Sequence, residues 1–236
     1  MLRALCVCAR GDFNSALAIL HGLFQSLKHK PASLSSRFTP VIISRIGMVE
    51  TRRDNFVTAN AHLALAHDIL RRAHQLGKYN QLELNFNRVD LMIAARSHGN
   101  YEALGLLVVA ALISRKSDDR LALAMSLQRL GDIFYIDRQF QGSCLDTAKA
   151  CYEAALDLIR YMGVRRHIGD LLLRLGMVSL ISLKAERATK RFIQARKFFR
   201  DAECADGYQY CETCLEDCES ILEKVPPILL RARTLC

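Results

Sequence analysis

Apolar residues follow a helical period through most of the chain. Long stretches rich in Ala, Leu, Arg and Glu place apolar side chains three and four positions apart, and runs of β-branched residues are few. This pattern predicts amphipathic α-helices. Only 4 of the 236 residues are proline, so little interrupts the helices. The sequence therefore predicts an all-α fold.

One pattern of small and large residues recurs five times along these helices. It reads small-x3-large-x2-small, and its occurrences are Ala16, Leu20 and Leu23; Ala59, Leu63 and Ala66; Ala103, Leu107 and Ala110; Ala148, Tyr152 and Ala155; and Ala188, Phe192 and Ala195. The leading alanines are separated by 43, 44, 45 and 40 residues. Small residues one and two turns apart let a neighbouring helix approach closely, and the large residue fills the groove between them. The recurrence indicates internal repeats.

A second helix precedes each pattern, with a turn between the two helices. Three of these helices carry a hydrophobic-Gly pair, at 46–47, 130–131 and 175–176. Polar turn segments that end in an aromatic residue lie at 10–13, 53–56, 98–101 and 137–140, and the first three contain Gly or Asn. This is typical of helix hairpins. Gly47 and Gly176 each lie twelve residues before the repeat alanine, whereas Gly131 lies seventeen before Ala148. The longer spacing predicts an insertion around Gln139 to Thr147.

These motifs resemble the tetratricopeptide-repeat family. Leu175, Gly176, Ala188, Phe192 and Ala195 match its spacing residue for residue, and the corresponding residues from Ile46 to Ala66 match nearly as well. The repeats lack the family's Trp and closing Pro, and their period is longer, as in HEAT and armadillo arrays. The resemblance implies a right-handed α-solenoid of helix hairpins that binds proteins or peptides.

The predicted organisation is one repeat array followed by a terminal helix and a tail. Residues 1–200 form the array, with repeats at about 1–30, 38–78, 79–117, 118–163 and 164–200. An acidic, Cys-bearing helix at 201–224 and a short tail at 225–236 complete the chain. The first repeat has a short first helix with apolar Leu2, Leu5 and Val7, a poor cap for an exposed end. We expect this N-terminal end to self-associate or to bind a partner.

Composition restricts the environment of the protein. The longest apolar run, from Ala103 to Ile113, has eleven residues, about half the length of a membrane-spanning helix, and predicts a buried helix in a soluble protein. The N-terminus lacks the long apolar core of a signal peptide. Nine cysteines without a framework-like spacing fit reduced thiols. We therefore expect a cytoplasmic or nuclear protein without a membrane segment.

Catalytic signatures are absent from the sequence. It contains no Gly-x4-Gly-Lys phosphate loop, no Gly-x-Ser-x-Gly nucleophile turn, no dinucleotide-binding glycine motif and no His-Glu-x-x-His. We therefore expect no enzymatic activity, no catalytic residues and no cofactor.

Four cysteines near the C-terminus allow two interpretations. Cys204, Cys211, Cys214 and Cys218 include a Cys-x2-Cys pair, and four thiolates can hold a structural zinc ion. Cys211, Cys214 and Cys218 also follow the spacing of an apolar helical stripe, and free Cys is often buried. The stripe is the favoured interpretation, because no second metal-binding pair lies nearby.

Positive charge is concentrated in one helix. The formal net charge is +9. The segment from Lys184 to Arg200 contains seven Lys and Arg residues and a single Glu. A phosphate- or acid-binding stripe would consist of Arg187, Lys190, Arg191 and Lys197. The next segment is strongly acidic, so pairing within the chain is a second interpretation. Aromatic residues are 7% of the chain, which leaves few platforms for base stacking and makes nucleic-acid binding the alternative function.

The favoured function is non-catalytic binding of other protein subunits or peptide segments. Counted from the matched glycines, the groove-facing positions are Ser44, Met48, Thr51, Asn85, Arg88, Met92, Arg96, Gln128, Asp132, Tyr135, Asp170, Leu173 and Met177. The Lys, Asn and Arg clamp by which some tetratricopeptide domains bind chaperone C-termini is missing at matching positions. A mixed polar and Met-lined groove suits an extended peptide or a partner helix.

Overall fold

The computed structural model describes residues 1–72, 78–95, 100–136 and 143–224. These ranges contain helices and no strand: α1 (Leu2–Ala9), α2 (Phe13–Leu27), α3 (Ala32–Arg52), α4 (Phe56–Arg72), α5 (Lys78–Ala94), α6 (Asn100–Lys116), α7 (Arg120–Ile136), α8 (Ser143–Ile159), α9 (Arg165–Ile181), α10 (Ala185–Asp201) and α11 (Ala205–Lys224). The predicted all-α helical-repeat fold is confirmed.

The chain forms two compact units, Met1–Ile136 and Asp137–Cys236. In the first unit, α3 packs on α4 and α5 on α6, and the first helices α3, α5 and α7 also contact one another in succession. In the second unit, α9 packs on α8, α10 and α11, and α10 packs on α11. Within each unit, helices therefore pack in hairpins and against the neighbouring hairpin, as in a tetratricopeptide-like array.

The repeated small-large-small pattern lies at the helix contacts. The alanines at 16, 59, 66, 103, 110, 148, 155, 188 and 195 are at most 1% exposed. The large residues between them are equally buried, with Tyr152 at 1% and Phe192 at 0%. In the first repeat, Leu23 is only partly buried. The pattern thus identifies the face that each second helix buries.

Glycine on the first helix makes room for the large residue on the second. A β-carbon added at Gly176 would lie 2.6 Å from Cδ1 of Phe192. The same atom at Gly47 would lie 2.9 Å from Cγ of Leu63 and 3.2 Å from the Ala59 carbonyl oxygen. Real β-carbons essentially never approach a neighbouring atom within 3.0 Å. The hydrophobic-Gly pair is therefore a packing motif in both units.

Four helices end in the same tight turn. Asp54, Asp118, Leu183 and Glu203 adopt φ values between 52° and 59° after α3, α6, α9 and α10. The next amide donates to the carbonyl oxygen five residues earlier, as from Lys184 to Ser179 at 2.9 Å. This arrangement satisfies carbonyl groups at the helix end. It reverses the chain within three residues, as a helix hairpin requires.

Several boundaries differ from the predicted ones. Helix α3 begins at Ala32, before the predicted repeat start at 38, and continues through Pro40. The boundary between the units falls within the predicted fourth repeat. Because each repeat contacts only its neighbours, periodic sequence alone does not enforce one compact body.

Two predicted segments lie partly or wholly beyond the described ranges. Of the predicted insertion, residues 139–142 are outside them, whereas Ser143 to Thr147 are the first residues of α8. The acidic helix begins at Ala205, because α10 continues to Asp201. The predicted tail at 225–236 lies outside the described residues.

The long apolar run Ala103–Ile113 lies in the 17-residue helix α6. Ala103, Leu107 and Ala110 are at most 2% exposed, but Val108 and Leu112 are 58% and 56% exposed. The run is therefore buried on one face only. The sequence does not show this, because all its residues are apolar or small. Within the described ranges, no helix combines the length and the apolar character needed to cross a membrane.

Candidate partner-binding surfaces

Three helices of the first unit, α3, α5 and α7, contact one another in succession and form a layer, which we call the inner layer. Two of the predicted groove residues lie inside it rather than on its surface. Ser44 is 4% exposed, and its hydroxyl oxygen accepts a hydrogen bond from Nδ2 of Asn87 at 2.9 Å. Thr51 is 6% exposed and donates to the Gly47 carbonyl oxygen at 3.0 Å. The Ser44 bond joins α5 to α3, and the Thr51 bond lies within α3, so both hydroxyls are already paired.

A third predicted residue, Asn85, is also buried, at 6% exposure. Its Nδ2 atom has no hydrogen-bond partner. A buried amide without a partner is costly, so this position is a strained point of the inner layer.

The remaining groove residues of the first unit are partly exposed. They are Met48, Arg88, Met92, Gln128, Asp132 and Tyr135. Arg88 binds Glu102 of α6 through Nη2. Met92 packs against the cluster around Val89 and Leu107. Arg96 lies outside the described residues. The accessible part of the inner layer is thus mixed polar and thioether in character.

Ion pairs join successive helices of the inner layer, and sequence reasoning missed them. Arg45 of α3 binds Glu83 of α5. Arg129 of α7 binds both carboxylate oxygens of Asp90 at 2.7 Å, and its guanidinium lies 4.5 Å from the ring centre of Phe86. These arginines neutralise the acids beside them, so the pairs contribute little net charge to the surface.

A sequence signal for these arginines existed. Arg45, Arg129 and Arg174 each stand two residues before a matched glycine, at 47, 131 and 176. A cation at a fixed repeat position predicts an acid on the neighbouring repeat. The acids are not at a fixed position themselves, which is why no repeating motif revealed them.

The second unit carries the other three groove positions on α9. Leu173 is 9% exposed and belongs to the core. Asp170 and Met177 are partly exposed. Because α9 contacts α8, α10 and α11, little of its surface is available to a partner.

The predicted basic stripe on α10 separates into exposed and buried members. Lys190 and Lys197 are exposed, and the side chain of Arg187 is 52% exposed. The side chain of Arg191 is only 14% exposed. Its Nη1 donates to the Leu175 carbonyl oxygen at 3.0 Å, so Arg191 belongs to the helix packing rather than to a solvent-facing stripe.

One carboxylate holds this buried arginine. Glu153 of α8 lies 3.2 Å from Nη2 of Arg191 and 4.0 Å from Nη2 of Arg187. Burial, and then the neighbouring Arg187, lower the pKa of Arg191, and Glu153 opposes both effects. The arginine stays charged because its ordinary pKa is far above neutrality. This cluster ties α8 to α10.

The acidic helix α11 pairs with α10 at one position. Arg196 binds Glu212 with an Nη1–Oε1 distance of 2.6 Å. This contact raises the pKa of Arg196. Lys190 and Lys197 are exposed on the same helix. Intrachain pairing therefore accounts for part of the basic charge of α10.

The C-terminal cysteines lie where α11 packs into the second unit. Cys211, Cys214 and Cys218 are 0%, 8% and 0% exposed, and Cys204 is partly exposed. Burial, and then neighbouring Cys214, raise the pKa of Cys211 to about 12. Burial and nearby Asp217 raise the pKa of Cys214 to about 11. Among the described residues, no three Cys, His, Asp or Glu side chains are arranged to hold a metal ion. The stripe packs as apolar core.

The N-terminal end buries part of its apolar sequence. Ala4 and Cys8 of α1 are 1% and 2% exposed and pack in one cluster with Leu20 and Ile46. Val7 is partly buried against the same cluster. Cys6 is exposed. Self-association through this end remains a prediction.

Comparisons with known proteins show likeness of fold. No protein-family profile matches the chain, and no curated protein sequence matches it. The crystal structure of BtubC (BKLC) from P. vanneervenii superposes with a TM-score of 0.56 at 13% identity, covering 91% of this chain and 94% of BtubC. A second similar structure is a signal transduction ATPase with numerous domains and a tetratricopeptide repeat sensor, from Pyrococcus horikoshii. Its TM-score is 0.62 at 17% identity, covering 95% of this chain and 34% of the ATPase.

Together, helix order, hairpin packing and these neighbours define the class of protein. The chain has a tetratricopeptide-like, all-α helical-repeat fold. At 13% and 17% identity the comparisons establish the fold alone.

Proposed function

We propose that the chain is a non-catalytic interaction scaffold, a structural subunit that holds segments of other proteins. The observation that carries this proposal is the inner layer, in which α3, α5 and α7 lie side by side. Repeat arrays commonly bind their partners on extended surfaces of this kind. A tetratricopeptide-like neighbour supports the same general role.

The chemistry of the inner layer favours an extended, weakly charged peptide or a partner helix. The ion pairs Arg45–Glu83 and Arg129–Asp90 balance its charges. The partly exposed Met48 and Met92 supply adaptable apolar contacts. A strongly charged ligand would find no uncompensated cluster among these pairs.

Affinity purification of the tagged full chain tests the scaffold. Purification from native cells with nuclease, at about 150 and 500 mM salt, separates partners held by packing from those held by exposed charge. A defined set of proteins recovered at both salt concentrations supports the proposal. Recovery of nucleic acid alone, lost at the higher salt, contradicts it.

A single substitution in the inner layer sharpens this test. Gln128→Arg adds bulk and charge to the partly exposed surface of α7, and we expect it to release the partners. Gln25→Arg makes the same change at an exposed site on α2 and serves as the control. Equal recovery with both variants would exclude the inner layer as the binding surface.

Nucleic-acid binding is the competing function, supported by the exposed cations of α10. Lys190→Glu with Lys197→Glu reverses two exposed charges and leaves the buried Arg191 in place. If nucleic acid binds there, the affinity of the variant for nucleic acid falls. The slope of log affinity against log salt concentration also becomes shallower, by about two counterions. If the scaffold proposal holds, the recovered proteins do not change.

A narrower hypothesis concerns the kind of complex. The order of the repeats resembles the C-terminal repeat region of anaphase-promoting complex subunit 5. That order is a short first hairpin, two regular long repeats, a fourth repeat with an insertion and a basic final repeat. We propose on this basis a platform within a nuclear and cytoplasmic ubiquitin ligase of the cell cycle. Recovery of ubiquitin-ligase subunits in the purification would support it, and a stable complex without them would contradict it.

A further inference from the structure

The outward face of α6 is apolar over about two helical turns. Val108, Val109 and Leu112 are 58%, 39% and 56% exposed. Gly105 beside them has no atom within 4 Å of the place a β-carbon would occupy. Single exposed hydrophobic residues are ordinary, but a contiguous group on one helix face indicates an interaction surface.

Charges of opposite sign stand at the two ends of this apolar face. Glu102 lies in the first turn of α6, and Arg115 and Lys116 lie in the last. All three are exposed. Glu102 also binds Arg88 through Oε1, with its side chain still 58% exposed. Fourteen residues separate Glu102 from Lys116, which is about 21 Å along a helix. An antiparallel copy of the same face would bring acid and base together at both ends.

We propose that two copies of the chain pair through this face of α6, near-antiparallel and around a two-fold axis between Val108 and Val109. Such an axis places Gly105 level with Leu112 of the other copy. At about 100° per residue, Glu102 and Lys116 lie on the same flank of this face, so Glu102 of one copy meets Lys116 of the other at each end. Leu112 of one copy then enters the open space above Gly105 of the other. Self-complementarity of this kind is what an isologous interface requires.

This complementarity indicates that the partner bound to the α6 face is a second copy of the chain. An unrelated partner would have to reproduce the same order of acid, small residue, large residue and base, whereas a second copy supplies it by symmetry. One helix pair of this length buries less than the roughly 1,200 Å² of a standard interface. We therefore expect a dimer that forms reversibly with concentration. This self-association goes beyond the scaffold role, since it uses the outward face of α6 rather than the inner layer.

Sedimentation velocity of the full chain tests the dimer over about 1 to 200 µM, the range in which a small interface becomes populated. We expect the weight-average mass to rise towards twice 26.6 kDa. Val108→Lys should weaken association at least about tenfold, because it buries a charge at the two-fold axis. Val57→Lys on α4, where Val57 is 88% exposed, is the matched control and should leave association unchanged.

A charge exchange tests the register independently. Glu102→Lys alone and Lys116→Glu alone each place like charges opposite one another, so each variant should dimerise more weakly than the parent chain. In a mixture of the two variants, a mixed dimer has two lysines on one copy facing two glutamates on the other, one pair at each end of the interface. Mixing should therefore restore association. Circular dichroism of each variant reports whether the helices remain folded.

Three results would overturn the proposal. The first is a parent chain that stays monomeric throughout the concentration range. The second is a dimer as strong in Val108→Lys as in Val57→Lys, which places self-association elsewhere, such as the N-terminal end. The third is a mixture of the two charge variants that associates no better than either alone.

Discussion

At the scale of the residue, the fold depends on matched small and large side chains. Gly176 and Phe192 occupy one space between α9 and α10, and Gly47 and Leu63 do the same between α3 and α4. Phe192 is fully buried. Both pairs were recognisable in the sequence, because each glycine lies twelve residues before a repeat alanine. At this spacing the glycine faces the large residue of the second helix. A wrong volume at either position acts directly on hairpin packing.

Gly176→Ala should destabilise the protein by about 1 to 2 kcal/mol. The added methyl group would overlap the buried Phe192 ring, which costs about 1 to 3 kcal/mol, and improved helix propensity offsets part of this cost. Urea unfolding measures the change. Gly22→Ala is the matched control: Gly22 is inside α2 with no atom within 4 Å of a β-carbon, so this variant should gain up to about 1 kcal/mol. Equal shifts in both variants would contradict the packing role.

The buried thiols of α11 should make stability depend on alkaline pH. The pKa of Cys211 is raised to about 12 and that of Cys214 to about 11, from 9.0. A pKa raised in the folded state gives stability that is complete below about 9 and lost as the pH rises towards the folded value. Between pH 8 and 10 each thiol should cost about 1 kcal/mol.

Urea unfolding at both pH values measures this loss. Cys211→Ala with Cys214→Ala should reduce the difference between pH 8 and 10, whatever its effect at pH 8. Cys6→Ala, at an exposed cysteine of α1, is the control and should leave the difference unchanged. An undiminished difference in the double variant would show that other groups cause it.

At the scale of the element, the sequence predicted that the hairpins exist. It did not predict every turn or which helix faces are exposed. Helix pairs followed from the Ala-x3-large pattern, and Gly11, with φ of +80°, and Asp12, whose side chain accepts from the Ser15 amide, form the expected first turn. The turn at Leu183 gave no signal, because leucine rarely adopts a positive φ. The exposed face of α6 was hidden for a different reason: a helix apolar all round does not reveal which face is covered.

Leu183→Gly should stabilise the second unit. Leu183 has a φ of +56° and is 67% exposed, so glycine relieves backbone strain at little cost in buried surface. We expect a gain of about 0.5 to 1 kcal/mol, since the left-handed penalty of about 1 to 2 kcal/mol exceeds the added chain entropy. Thermal unfolding measures it. Leu183→Ala keeps the β-carbon and should give no comparable gain; if it does, strain is not the cause.

At the scale of the whole molecule, the repeat period predicts one array over residues 1–200, and the structure divides into two compact units after Ile136. The periodic pattern reflects the residues that each hairpin buries locally, and the hairpins of both units bury them. The ion pairs of the inner layer join neighbouring helices and escaped detection because their acids do not occupy a fixed repeat position.

Nearest-neighbour packing predicts that damage stays within one unit. Gly176→Ala should speed amide hydrogen exchange in α9 and α10 and leave α3 and α4 unchanged, because repeat stability is a sum of local and adjacent terms. Gly47→Ala, which crowds Leu63 and the Ala59 carbonyl, should do the reverse. Exchange followed by mass spectrometry on the full chain measures both variants. If either substitution accelerates exchange equally in both units, the chain unfolds as one cooperative body, and the two units are a feature of packing and not of stability.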